Sequence, residues 1–233
     1  MSGLFGKLLD LLYPPKCAFC RRPVPGSRML CPDCEGKLPR PSAADAVRYD
    51  IEHLALCRFP LYYTGTVRES LHRYKFRGAA AYCRIYAELM AGCLSGEQAG
   101  FDRVTWVPLS RNRLRTRGYD QAKLLAEETA RLLGLPCERL LEKTRNNRAQ
   151  SGTGSVQERY ENVKGVYRCV KAPAGERILL VDDIVTTGAT LSAAAAELTA
   201  AGAASVTGLT VAGSARNRDK TTEENGDSGN ADF

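Results

Sequence analysis

The stretch Arg177-Ile-Leu-Leu-Val-Asp-Asp-Ile-Val-Thr-Thr-Gly-Ala-Thr190 decides how this chain is read. Ile178 to Val181 is a short apolar run of the length and branching expected for a buried strand. Two adjacent carboxylates, Asp182 and Asp183, follow it. Next comes a loop of hydroxyls and glycine, Thr186-Thr187-Gly188-Ala189-Thr190, and then an alanine-rich helix from about Leu191 to Ala200. A strand feeding a small-residue loop at a helix N-terminus makes a phosphate site, because the free N–H groups and the helix dipole both face the anion. Gly188 lets the backbone approach closely, and the threonine hydroxyls add donors. Paired acids suit hydroxyls instead: a carboxylate repels a phosphate but accepts hydrogen bonds from a diol. Phosphate plus vicinal diol describes a ribose 5-phosphate.

Val181 to Gly188 resembles the phosphoribosyl-pyrophosphate (PRPP) motif of type I phosphoribosyltransferases. The apolar run, the acidic pair and the Thr-Gly loop all appear in the order that motif requires. No Gly-Lys-Ser/Thr occurs in the chain, which argues against a nucleotide hydrolase of the Walker A kind.

Composition bounds the remaining choices. A chain of 233 residues holds one ordinary domain plus a small module. With 44% hydrophobic residues it can bury a core. No apolar run reaches the roughly 18 residues of a membrane span. Met1 to Leu12 is too short and too mixed in charge for a secretory signal, so a cytoplasmic location is expected. The net charge of +7 suits phosphate-rich ligands, nucleic acid included.

Nine cysteines in a chain of this size do not read as a secreted disulfide scaffold. Cys17-x2-Cys20 and Cys31-x2-Cys34 form two knuckles that bring four thiolates to one tetrahedral centre, as structural zinc requires. Pro23, Pro25 and Gly26 between them suit the turns of a zinc ribbon. Four cysteine ligands leave no open position, so this zinc stabilises the fold and does no catalysis. Cys57, Cys83, Cys93, Cys137 and Cys169 read as small core residues. His53 with Cys57 is the alternative source of metal ligands, and His72 reads as a surface or ligand-adjacent residue.

Along the chain, Gly3 to Tyr13 has leucines at helical spacing and stops at Pro14-Pro15. Pro39 to Asp50 is a linker. Leu54 to Tyr63 reads as a strand broken near Pro60, and 67–77 and 80–94 read as helices. Val104 to Leu109 is a buried strand, and Tyr119 to Leu133 is a helix ended by Gly134. Leu140 to Glu142, Gly165 to Val170 and Ala204 to Ala212 are strands, with one or two helical turns over 156–162. This alternation predicts an α/β fold with a mostly parallel sheet covered on both faces. The expected domains are 1–50 (helix, zinc module and linker), 51–213 (the main domain) and 214–233 (a disordered tail).

A second cluster, Val107-Pro-Leu-Ser-Arg-Asn-Arg-Leu-Arg-Thr-Arg-Gly-Tyr-Asp-Gln121, lies between a strand end and a helix start. Ligands bind outside the carboxyl ends of strands in open α/β sheets. An arginine-rich loop there can hold pyrophosphate through forked donor pairs, or be a solvated basic loop. Ser110, Arg111 and Arg117 are the residues of this segment expected to touch PRPP. The polar run 143–155, followed by Arg159 and Asn162, reads as a loop that closes over the site or as a tolerated insertion.

Taken together, the chain resembles the ComF family of competence-associated phosphoribosyltransferase-like proteins, from about Leu8 to Ala212. The matching pieces are both cysteine knuckles, Tyr74-Lys75-Phe76-Arg77-Gly78, Val107-Pro108-Leu109, Arg117-Gly118-Tyr119-x-Gln121, Gln150-Ser151-Gly152, Glu158-Arg159-x2-Asn162-Val163 and the ribose-phosphate motif. The resemblance implies a type I phosphoribosyltransferase fold with an N-terminal zinc finger. It also implies a role in handling single-stranded DNA during natural transformation, and a helicase or recombination protein as partner. Relative to that family, Asp120 stands where Asn is usual, Asn147 where Thr is usual and Thr153 where Leu is usual. Asp120 adds negative charge beside the expected pyrophosphate loop, which weakens anion binding or recruits magnesium.

The expected chemistry follows. Thr186, Thr187, Gly188, Ala189 and Thr190 hold the 5-phosphate, Asp182 and Asp183 hold the ribose hydroxyls and stabilise charge at C1, and magnesium bridges pyrophosphate and diol. Lys75 to Arg77 reaches toward pyrophosphate or acceptor. Enzymes salvaging 6-oxopurines carry an Asp at the position of Thr186, so that class is disfavoured. Three functions stay open: a phosphoribosyltransferase with an unidentified acceptor, a non-catalytic PRPP-binding competence factor carrying single-stranded DNA, and a PRPP-sensing regulator of nucleotide metabolism. Tyr62, Tyr63, Tyr74 and Phe76 are either core residues or stacking platforms for bases.

Overall fold

The computed structural model describes residues 15–25, 28–42, 51–95, 100–144, 163 and 165–214. The expected helix over 3–13, most of the linker to Asp50, Asn147, Gln150 to Asn162 and nearly all of the tail lie outside these residues.

The deciding stretch forms strand β6, Arg177–Val185, beside β7, Ser205–Gly213. Both are buried over most of their length, so both faces of the sheet need cover. The main sheet is parallel throughout. With β1 (Leu56–Arg58), β2 (Leu61–Tyr62) and β3 (Arg103–Trp106), its order is β1-β7-β6-β3, and β2 also pairs with β7.

Alternation along β6 sorts the core into two layers. Leu179 and Val181 face α2 (Gly65–Phe76), α3 (Cys83–Gly92) and α5 (Gln121–Leu133), through Leu71, Tyr86 and Leu125. Ile178 and Leu180 face α6 (Ala189–Ala200) through Leu191 and Leu198. This second face is completed by an antiparallel ribbon of β4 (Leu141–Lys143) and β5 (Tyr167–Cys169). Leu140 to Glu142 and Gly165 to Val170 thus build a separate two-stranded sheet and add nothing to the main one.

The strand expected over Leu54 to Tyr63 with a break near Pro60 is indeed two pieces separated by Phe59 and Pro60, because proline offers no N–H to a ladder. Two other differences have local causes. The helix expected over 80–94 opens with a 3-10 turn, Ala80–Tyr82, before α3. The arginine-rich segment is a short helix, α4 (Arg111–Arg117), not a loop. Ser110 caps it, and it is closed by Gly118, whose φ of 78° is a left-handed conformation that favours glycine.

The cysteine knuckles pack against the same core as α2 and α3. Helix α1 (Pro32–Lys37) begins at Cys31, whose sulfur accepts the Cys34 N–H. Arg73 Nη2 on α2 donates to the carbonyls of Ala18 and Phe19, each at 2.8 Å. Ser70 Oγ donates to the Ala18 carbonyl at 2.5 Å and also meets the Tyr86 hydroxyl. Phe19 stands edge-on to Tyr86 with centroids 6.0 Å apart. The two residues between Cys17 and Cys20 are therefore read directly by α2 and α3.

Candidate active site

Strand β6 does not end at Val181; it carries both acids within its ladder. Successive side chains point to opposite faces, so the two carboxylates flank the strand's carboxyl end. Asp183 turns toward α2 and is nearly buried, with Oδ1 2.9 Å from Lys75 Nζ. Asp182 turns toward the β4–β5 ribbon, and its Oδ1 accepts the Asp183 N–H at 2.8 Å. Burial, reinforced by the charge of Asp183, pushes the Asp182 carboxyl up to about 7, while Lys75 pulls the other way.

Past β6 the chain turns at Gly188, φ 81°, which is the N-cap of α6. A Cβ there would lie 2.7 Å from Ile51 Cγ1, so this turn needs glycine twice over. Glycine brings no side chain to cap the first helical N–H groups. The Ala189 N–H reaches Thr187 Oγ1 only at 3.5 Å. The first turn of α6 therefore opens on the cleft with its amides and positive dipole end available to an anion.

The cleft has a volume of about 500 Å³. Asp182, Asp183, Thr186, Thr187, Ala189 and Thr190 line it, and Gly188 sits beneath, against Ile51. On the far side stand Arg113 and Arg117, one helical turn apart on α4. Arg117 Nη1 donates to Gln121 Oε1 at 2.8 Å, and its guanidinium lies 4.9 Å from the centre of the Phe76 ring. Ser110 and Arg111 line a neighbouring groove; the buried Ser110 accepts the Arg113 N–H and so sets the helix from which Arg113 and Arg117 reach the cleft.

Asp120 lies beside this helix as the N-cap of α5, accepting from Lys123 N–H at 3.2 Å and from Leu109 N–H at 3.1 Å. The two N–H groups use different carboxylate oxygens, so an asparagine, with one amide oxygen and an NH2 donor, would keep only one of these bonds.

Sequence reading has Lys143 only as the first residue of the polar run and Tyr167 only as a strand residue; both form the ribbon side of the cleft. Lys143 Nζ lies 5.3 Å from the Tyr167 ring centre. Burial, helped by Arg113, lowers its ammonium to about 8, and Asp182 opposes the shift. Nothing in a three-residue strand with one lysine marks it as a wall of the site. Only the ribbon's pairing does so.

The four Sγ atoms of Cys17, Cys20, Cys31 and Cys34 lie within 4.8 Å of one another, with Cys20 and Cys31 3.6 Å apart. Zn–S bonds of about 2.3 Å at tetrahedral angles put sulfurs about 3.8 Å apart, so the set fits zinc. Among the described residues no other group of three or more His, Cys, Asp or Glu could hold a metal, and the His53–Cys57 alternative forms none. Asp182 and Asp183 are the acids at the cleft, as suits magnesium, which takes one or two carboxylates and fills its other positions with substrate oxygens and water. Among the described residues no helix is long and apolar enough to cross a membrane.

Sequence comparison with known proteins agrees with this architecture. The phosphoribosyl transferase domain family model matches residues 120–228, and the double zinc ribbon domain model matches 8–45. Competence protein ComFC of Bacillus subtilis is 31% identical over 202 residues, which cover 84% of this chain and 76% of that protein. DNA utilization protein YhgH of Salmonella typhimurium is 30% identical over 205 residues, 82% of this chain and 86% of that protein. Among solved structures, the glutamine phosphoribosylpyrophosphate amidotransferase of B. subtilis is similar at 25% identity over 55% of this chain and 26% of its own, with a TM-score of 0.39. A parallel sheet with its acid pair and amide loop at one end, a four-cysteine ribbon locked to its helices, and identity with ComFC along most of both chains place this protein in the ComF family.

Proposed function

We propose that the cleft binds PRPP with magnesium and that the chain transfers the phosphoribosyl group in the handling of single-stranded DNA. The observation that carries this reading is the placement of Asp182 and Asp183 between the open first turn of α6 and the arginines of α4. The α6 amides and Thr186–Thr190 take the 5-phosphate, the acids take the 2′ and 3′ hydroxyls, and Arg113 and Arg117 face the pyrophosphate. Asp182 and Asp183 are the residues that would hold magnesium, which would neutralise charge on the leaving group when bound. As the C1–O bond breaks, pyrophosphate departs with the electron pair, the carboxylates stabilise positive charge on the ribose, and the acceptor's lone pair closes on C1. Lys75 fixes Asp183 in place for that task. The DNA context is supported by what two relatives are called, a competence protein and a DNA utilization protein.

Calorimetric titration of the zinc-loaded protein with PRPP and magnesium tests the site. Asp183→Asn is expected to weaken binding by more than about tenfold, the scale of one charge-assisted contact. Unchanged affinity removes the acid pair from the site. The relatives' names describe DNA use without naming an enzyme, which favours a second reading: a PRPP-binding adaptor that does not turn over. Release of pyrophosphate with single-stranded DNA present selects the enzyme.

A further inference from the structure

We propose that the groove between the first cysteine knuckle and helix α2 is a binding track for single-stranded nucleic acid that leads into the cleft. The inference rests on the DNA half of the function proposed above and assigns it a surface. Arg21 comes from the knuckle, and Arg68, His72, Arg73 and Arg77 come from α2, all lining one groove. Glu69 is the one carboxylate among its lining residues, 3.9 Å from Arg73, which is itself committed to the knuckle carbonyls. Arg21, Arg68 and Arg77 are exposed, and among the described residues none of them has a carboxylate partner. Positive charges gathered this way repel one another and attract a polyanion.

A solvated basic face would need no more comment, but this one has an aromatic end. Phe76 is 56% exposed at the last position of α2. Its ring stands tilted to the His72 ring, 4.9 Å away centre to centre, and carries the Arg117 guanidinium over one face. An exposed ring fixed by two neighbours is a platform on which an unpaired base can stack, whereas in a duplex the base faces are already covered. Arg117 also lines the cleft, and Tyr63 lines both cleft and groove. Charge therefore runs from the knuckle to the catalytic arginines, with a stacking position between them. The aromatic platform favours nucleic acid over an anionic membrane, which offers phosphate but nothing to stack.

The test is fluorescence anisotropy of a labelled oligo-dT strand with the full zinc-loaded chain at several salt concentrations, beside PRPP calorimetry on the same samples. Arg21→Gln/Arg68→Gln is expected to bind DNA at least about tenfold more weakly. Its log K against log salt slope should be shallower by about 1.4, at roughly 0.7 per lost phosphate contact. Phe76→Ala is expected to lose about tenfold with an unchanged slope, as for the loss of one stacked base. PRPP binding by the double arginine variant should equal that of the wild type. If the wild type binds DNA and both variants bind it equally well, the groove is not the track, and the function proposal stands. If the wild type binds no DNA, the track and the DNA half of that proposal fail together, while PRPP binding is judged on its own. If phosphatidylserine vesicles bind tightly, lose binding in the arginine variant and displace the strand, the groove is a lipid surface and the inference is overturned.

Discussion

Lys75 Nζ stands 2.9 Å from Asp183 Oδ1, so one acid of the ribose-phosphate motif already has its counter-ion before any ligand arrives. The two groups come from α2 and β6, far apart in the chain, and both are largely buried. Removing one partner leaves a charge with poor solvation.

Lys75→Met is therefore expected to destabilise the fold by about 2–3 kcal/mol, somewhat below the cost of breaking a fully buried pair. Adding Asp183→Asn should recover much of that loss, because no unpaired charge then remains. A double-mutant cycle by urea denaturation measures it, and additive losses would show that the pair contributes no coupling.

Asp120 holds two backbone N–H groups, at Leu109 and Lys123, and does so as a cap. Asp120→Asn should keep one of these bonds and lose the other, at about 1 kcal/mol of stability, with PRPP affinity near the wild type. Asp120→Ala loses both and should cost about 1–2 kcal/mol of stability. A PRPP affinity that changes equally in both variants would mean that the negative charge itself acts on the ligand.

The raised carboxyl of Asp182 makes the ligand-free protein sensitive to pH in a definite direction. Its folded-state value, about 7, lies above the ordinary 3.8, so folding favours the protonated form. Its stabilising contribution is complete below the ordinary value and is lost as pH rises through 7. Denaturation midpoints between pH 5 and 8 should fall more steeply in the wild type than in Asp182→Asn. Parallel curves would contradict the assignment.

Ejecting zinc should loosen α2, because Arg73 and Ser70 grip the carbonyls of Ala18 and Phe19 inside the first knuckle. Mercurial release should yield one zinc per chain, with a lower melting temperature and faster hydrogen exchange in 65–76. Cys34→Ser should behave like the stripped protein and Cys57→Ser should keep its metal. Exchange in α2 that is indifferent to zinc would uncouple the two parts.

Much of this was legible in the chain because the signals were local. The β6–α6 motif, the two cysteine knuckles, and the Gly134 stop of α5 each declare themselves within a few residues. What stayed hidden depends on partners distant in sequence. Lys75 was seen as reaching toward the ligand, but its ion pair with Asp183 needs α2 packed on β6. Lys143 joins the cleft only because β4 pairs with β5. Arg111 and Arg113 look alike in a list of arginines, and only the helical turn set by Ser110 sends them to different grooves. Asp120 reads as an added charge until its two amide partners are seen.

The position of β7 has a consequence for biosynthesis. This last strand lies between β1 and β6, with Leu56 opposite Thr207 and Leu180 opposite Gly208. Among the described residues, strands β1 and β2 have no ladder partner other than β7, so their pairing waits until the chain has been made through Gly213. The sheet, and with it the geometry around Asp182 and Asp183, closes only once β7 is available, in one long-range step, the slow kind. Until then the knuckles are the part of the molecule able to fold first, with metal as their core.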